Sequence, residues 1–288
     1  MKTLARAMLC FALLWAGAAA QAAMVLQSYN ANQHDRFQNN AAFIGNPYNW
    51  SGVGRGTAGR WGVMISDSYF LTATHFVPSG TLRFYHTNNP AGTFEDHLIA
   101  SGQQIAGSDL WLGKLQDDVT ASVQKYPILD LPTLSAYNNR TIYTFGLTGA
   151  SEGDADDVRL GRNQIDPNSY GFATVGPSTG AAYTFDFDNP GGVGADESFL
   201  QGGDSGGPSF NLAAGVTPAI TGIHWAISTN PIVLSIDTFV PFYIANLQAA
   251  MIGEDLMLIP EPTSGLLLAL GSILVMGTIR RSRRFADE

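Results

Sequence analysis

Seven residues, Gly202-Gly203-Asp204-Ser205-Gly206-Gly207-Pro208, hold the parts of an activated nucleophile. A serine hydroxyl attacks well only when its Oγ is exposed, backbone N–H groups face the developing oxyanion, and a base can take its proton. Glycines on both sides of Ser205 let the backbone turn sharply and approach a substrate without Cβ clashes. With 32 glycines in the chain, Gly-rich turns are common. Asp immediately before Ser and Gly-Gly-Pro after it nevertheless specify far more than a lone GxSxG.

The base must be one of five histidines, and only His75 has the right surroundings. Trp61 to Phe76 reads as two apolar runs around the polar turn Ser66-Asp67-Ser68, the second delivering Thr72-Ala73-Thr74-His75. His34, His86, His97 and His224 lack that setting and read as surface or packing residues. A third group must accept from Nδ1–H and stabilise the imidazolium. Asp109, directly before the alternating run Leu110-Trp111-Leu112-Gly113-Lys114-Leu115, fits better than Asp96 in the polar stretch Glu95-Asp96-His97 or than the turn acids Asp67 and Asp130.

These three segments resemble the trypsin and chymotrypsin-like serine peptidases, with their Thr-Ala-Ala-His, Asp-Ile-Ala-Leu-Leu and Gly-Asp-Ser-Gly-Gly-Pro patterns. The chain order His75, Asp109, Ser205 is that family's order. The glycine-flanked serine also satisfies an α/β-hydrolase elbow, but that fold needs an acid and then a histidine after the serine. His224 is the only later histidine, and Asp237, Glu254 and Asp255 all follow it.

The resemblance implies an all-β fold of two six-stranded antiparallel barrels with the site between them, covering about residues 46 to 258. The residues agree: β-branched and aromatic runs at Thr81–Tyr85, Thr141–Phe145, Ala182–Phe187, Ala219–His224 and Ile232–Ile236 alternate with Gly, Asn, Pro and Asp clusters. Val240 to Met251 has helical spacing with an early proline and resembles the closing C-terminal helix of this fold. The boundaries are a first barrel at 46–135 and a second barrel with closing helix at 136–258. Residues 23–45, rich in Asn, Gln and Ala, read as a propeptide or an arm on the first barrel.

The implied chemistry is endopeptide hydrolysis with no metal or organic cofactor. His75 acts as general base and then acid, Asp109 orients it, and the N–H groups of Gly203 and Ser205 form the oxyanion hole. The primary specificity pocket falls to Phe199 and Leu200 before the serine and to His224, Trp225 and Ala226 after it. Phe199 stands where trypsin has its pocket acid, which disfavours Lys or Arg. Gly222-Ile223-His224-Trp225 resembles the bacterial glutamyl endopeptidases, whose histidine helps hold an acidic P1 side chain. Ala226-Ile227 replaces their Gly-Gly and Leu200 their hydroxyl residue, so a purely structural His224 stands beside that reading.

Two departures from the animal enzymes stand out. The chain has one cysteine, Cys10, inside the leader, so the mature body forms no disulfide. No Ile-Val-Gly-Gly segment precedes His75 to give the new N-terminus that pairs with the acid before the serine, here Asp204. Either Asp204 finds another donor, or a cut falls within residues 23 to 61.

The termini speak to location. A basic start with Lys2 and Arg6, an apolar run from Ala7 to Ala20 and the site Ala20-Gln21-Ala22 read as a secretory signal helix, residues 1–22. Residues 259–288 carry Pro260-Glu261-Pro262, an apolar helical segment from Gly265 to Ile279 and Arg280-Arg281-Ser282-Arg283-Arg284. This order resembles the PEP-CTERM sorting signal, implying an exosortase-type partner and at least transient membrane contact. The apolar run is short for a hydrocarbon core of about 30 Å, and the arginines favour a cytoplasmic end. A plain anchor gives the same topology. Either way the body is exported across the inner membrane to the envelope, surface or extracellular matrix.

Setting aside Lys2, Arg6 and the four tail arginines, and Asp287 and Glu288, leaves 9 basic against 22 acidic side chains, a net charge of −13. Such a body lacks the basic face that nucleic acid requires. The acidic run Glu152 to Asp157 lacks EF-hand spacing and reads as a solvated loop. Two other functions share these residues: a surface-displayed protease-like module that binds without cutting, and an esterase using the same triad. Retention of all three triad residues and the oxyanion glycine favours the peptidase.

Overall fold

The computed structural model describes residues 23–56, 59–149, 154–188, 192–213 and 217–260. The segments expected as a signal helix (1–22) and as a sorting tail (from 261 onward) lie outside the described residues. Among the described residues, no helix is long and apolar enough to cross a membrane.

The arm begins with β1 (Val25–Leu26) and one helical turn, α1 (Ala31–His34), capped by the Asn30 side chain. Six strands follow: β2 (Val53–Gly56), β3 (Trp61–Met64), β4 (Tyr69–Ala73), β5 (Thr81–Tyr85), β6 (Phe94–Gln104) and β7 (Leu110–Leu115). They close into an antiparallel barrel in the order β2-β3-β4-β7-β6-β5. Period-2 alternation buries β4 on both faces. Phe70 joins Met64, Leu82, Phe84 and Leu115 in one cluster, while Tyr69, Leu71 and Ala73 join the main core. Gly113 makes room, since a Cβ there would sit 2.2 Å from Phe70 Cζ.

The second half comprises β8 (Ile128–Asp130), β9 (Thr141–Gly146), β10 (Arg159–Gln164), β11 (Gly171–Val175), β12 (Ser178–Asp186), β13 (Ser198–Phe199), β14 (Pro208–Ala213), β15 (Thr217–Ser228) and β16 (Leu234–Phe239). A 3-10 turn over Val240–Tyr243 leads into α2 (Ile244–Ala250), the closing helix expected from the spacing, and β17 (Leu258–Pro260) follows. The sheet runs β10-β9-β14-β15-β16-β12-β11. Its first six strands curl until β10 meets β12: Asp166 N–H donates to Thr184 O at 3.0 Å and Asn163 Nδ2 to Asp186 O at 2.8 Å. No strand ladder joins those two among the described residues, so the first half is a closed barrel and the second a curled sheet whose edges touch through isolated bonds, where two six-stranded barrels were expected. Strand β8, inside the segment assigned to the first barrel, pairs instead with β15 and β17.

The result is the all-β architecture expected, with one closed six-stranded barrel. One apolar core, including Trp50, Trp61, Tyr126, Phe145 and Phe210, spans both halves. A core of this extent can hold a domain of this length together without a disulfide.

The arm lies mainly on the second half, with a foot in the first. Strand β1 pairs with β13, Arg159 bonds the Asp35 carboxylate (2.8 Å) and Met24 O (2.9 Å), and His34 Nε2 meets Asp196 at 3.0 Å. The buried Arg36 donates to Val53 O and Tyr85 O of the first barrel. The arm is held by bonds in both directions: Arg36 donates to backbone carbonyls of the first barrel, while Arg159 of the second half donates to Asp35 and Met24 O of the arm.

Candidate active site

Antiparallel pairing of β4 with β7 sets Ala73 opposite Leu110. The residues just beyond that pair, Thr74–Phe76 and Asp109, therefore emerge together, and Thr74 N–H donates to Asp109 O at 2.6 Å. The Thr74–Phe76 turn presents His75, whose side chain is 29% exposed beside the fully buried Asp109. His75 Nδ1–H donates to Asp109 Oδ2 at 2.5 Å, and the His75 backbone N–H donates to Oδ1 at 3.2 Å. Both carboxylate oxygens thus hold one residue. The neutral ring then carries its lone pair on Nε2. Gln104 Nε2 and Tyr243 OH, bonded to Ser108 O and Gly107 O, brace the backbone immediately before Asp109.

A carboxylate beside an imidazole does not by itself mark a catalytic pair here, because all five histidines have one. His86 and His97 share Glu95, and His34 faces Asp196. The His75 pair differs in joining a buried acid to an accessible ring at the wall of a cleft. Asp96, the rival acid, is spent on a paired contact with Arg83 on the surface.

Ser205 sits half-buried on the turn that enters β14. Gly203 has φ of 103° and Gly206 of 83°, conformations that L side chains resist. Gly206 also lies against the end of β4: a Cβ there would be 2.5 Å from Thr72 Oγ1 and 3.3 Å from Ala73 N. The serine turn is therefore seated on the strand that carries His75. Backbone bonds hold it from below, Gly206 N–H to His224 O at 2.9 Å and His224 N–H to Gly207 O at 2.8 Å.

Two cavities meet at this place. One of about 550 Å³ is lined by His75, Asp109, Gln104, Val175 and Pro177, and one of about 80 Å³ by Ser205, Leu200 and Gln201. Trp225, Ala226 and Ile227 form a wall common to both. Gln104 and the β11–β12 turn were not foreseen, since only the folding of distant segments brings them to the cleft.

Of the expected pocket residues, Leu200, His224, Trp225 and Ala226 line the smaller cavity. Phe199 does not. It is buried in β13, paired with Val25 and with its ring against Phe187. His224 offers no ring nitrogen to a ligand: Nδ1 bonds Asp237 Oδ1 at 2.7 Å, Nε2 bonds Phe145 O at 2.9 Å, and the residue is 1% exposed. This corrects the acidic-P1 role suggested by Gly222-Ile223-His224-Trp225, because the adjacent Asp237 takes the imidazole first.

Asp204 is buried, and that burial pushes its carboxyl up to about 7 despite the opposing N–H donors and the charges of His224 and Arg55. Its partners are backbone: Leu147 N–H to Oδ1 at 2.8 Å and Gln201 N–H to Oδ2 at 2.7 Å. In the described part of the acidic loop Asp154 is exposed and Asp156 half-buried, and only Asp157 is drawn inward. Asp157 is buried, accepts from Thr148 N–H at 2.7 Å and lies 3.8 Å from Arg55. Among the described residues no group of three or more side chains is placed to hold a metal ion.

No protein-family model and no curated protein matches the chain. Among solved structures it is similar to the crystal structure of the MamO protease domain from Magnetospirillum magneticum in its apo form. That likeness has 15% identity and a TM-score of 0.47, over 66% of this chain and 88% of the other.

Proposed function

We propose that this chain is a serine endopeptidase acting through His75, Asp109 and Ser205. The observation that carries the reading is the junction at the end of β4. His75, with both oxygens of the buried Asp109 bound to it, stands on the strand end against which Gly206 of the serine turn is packed. In this reading His75 Nε2 takes the Ser205 Oγ proton as the serine attacks a peptide carbonyl, then returns it to the leaving amine. Asp109 stabilises the imidazolium, and the N–H groups of Gly203 and Ser205 meet the oxyanion. A water then repeats the sequence on the acyl-enzyme. Apart from the substrate and that water, every group these steps use belongs to the chain.

The termini extend the reading to an exported protein that is sorted at the envelope by its Pro260-Glu261-Pro262 tail, with an exosortase-type enzyme as partner. The support here is the order of basic, apolar and small-residue segments alone.

The test is to label the purified chain with a fluorophosphonate probe beside a Ser205→Ala control and then offer peptide and small-ester substrates. Ser205-dependent labelling with peptide cleavage is the expected result. Labelling with turnover of esters alone would make the chain an esterase. No labelling would leave a binding module.

A further inference from the structure

The small cavity beside Ser205 carries information about the substrate that the sequence does not. At about 80 Å³ it has room for two or three water-sized groups, taking about 30 Å³ for each. That is space for a side chain of one to three heavy atoms. A phenyl ring, a lysine or a glutamate overfills it.

Two of its walls, Leu200 and Trp225, are not free to retreat. Leu200 is 2% exposed, belongs to the main core and is fixed through its N–H to Ser235 Oγ at 3.2 Å. Trp225 is buried against Ala182 and Ile236. Core side chains at native density yield space only by distorting their neighbours.

The lining carries no charge that a substrate could use. Its ionisable members are Asp204 and His224. Both Asp204 oxygens are engaged by Leu147 and Gln201, and both His224 nitrogens by Asp237 and Phe145. A charged P1 side chain entering here would lose its water without gaining a counter-charge.

We infer, on the basis of the serine-hydrolase reading, that the pocket selects substrates with a small uncharged P1 residue of alanine, serine or valine size, with Leu200, Trp225 and Ile227 setting the limit. Ile227 is the adjustable wall, being only partly buried and common to both cavities.

The test pairs a peptide-library digest by the full chain with fluorophosphonate labelling of Ser205. Cleavage after Ala, Ser and Val is expected to exceed cleavage after Phe, Lys and Glu by about 10-fold or more, the usual reach of a size-limited apolar pocket. Ile227→Gly is expected to raise cleavage after Leu and Phe relative to Ala by a similar factor. Ile227→Ala reads the same shift should the glycine variant fail to fold. A chain that labels at Ser205 yet cuts best after Glu, Lys or Phe overturns the pocket assignment and leaves the hydrolase reading standing. A chain that does not label at Ser205 removes both.

Discussion

The Leu147 N–H donates to Asp204 Oδ1 across 57 positions of sequence, at 2.8 Å. The neighbouring carbonyl work is done by the arm, since Met24 N–H donates to Leu147 O at 3.0 Å. The acid before the serine is thus satisfied by the protein backbone, and the same short segment is held by the chain's N-terminal arm.

That relationship gives a pH dependence. Asp204 titrates near its ordinary 3.8 when unfolded and at about 7 when folded, because burial disfavours its charged form. With the folded value raised, the unfolded chain binds fewer protons between the two values. The stabilisation is complete below about 3.8 and is lost as pH rises through about 7. In Asp204→Asn this contribution disappears, so urea midpoints measured between roughly pH 4 and pH 8 should show a shallower fall than in the parent.

Asp109→Asn keeps the shape of the acid and removes the charge that orients His75. It should lower kcat/KM by about 10⁴ while leaving far-UV dichroism unchanged. Parent-like turnover in the purified variant would reject Asp109 as the orienting group.

Gly206→Ala tests the seating of the serine turn. Its Cβ would meet Thr72 Oγ1 at 2.5 Å in a backbone conformation with φ of 83°. The cost is about 1–2 kcal/mol of backbone strain plus the displacement. Fluorophosphonate labelling should slow by 10-fold or more, in line with the sensitivity of such sites to misplacement of about 1 Å, while a urea melt still shows a cooperative folded body.

His224→Leu should act on stability rather than on P1 choice. It strips Asp237, which is fully buried and otherwise bonded to Tyr183 OH at 2.9 Å, of its imidazole partner. Breaking a buried pair from one side costs about 3–5 kcal/mol, readable by urea denaturation. A variant of unchanged stability whose cleavage preference shifts would restore the histidine to a substrate-binding role.

Met24→Ala examines the arm. Met24 is fully buried against Gly146 and near Asp204. Truncating such a side chain costs about 2–5 kcal/mol. Equilibrium unfolding should show that loss if the arm is part of the mature fold. A loss of a few tenths of a kcal/mol or less would mark residues 23 onward as a dispensable propeptide.

The local patterns were legible because they depend on neighbours in sequence. Alternation marked Thr81–Tyr85 and the run after Asp109 as strands, the proline at 241 marked the 3-10 turn that leads into the helix, and the glycines around Ser205 announced a turn with positive φ at Gly203 and Gly206. Residue type and order were also enough to propose His75, Asp109 and Ser205 as a triad, since the chemistry restricts which side chains can serve and the strand ends restrict where they emerge. What the sequence left open depends on contacts between distant segments. Every histidine has an acidic partner, so only burial and the cleft separate the His75 pair from the others. The Gly222-Ile223-His224-Trp225 segment suggested a ligand-binding ring, but the register of β15 on β16 sets His224 opposite Asp237 and consumes it. The partner of Asp204, the seat of the arm on the second half and the size of the cavity beside Ser205 are likewise set by packing. They are fixed by which buried donors and acceptors meet once both halves have closed, and no local pattern in the chain encodes that meeting.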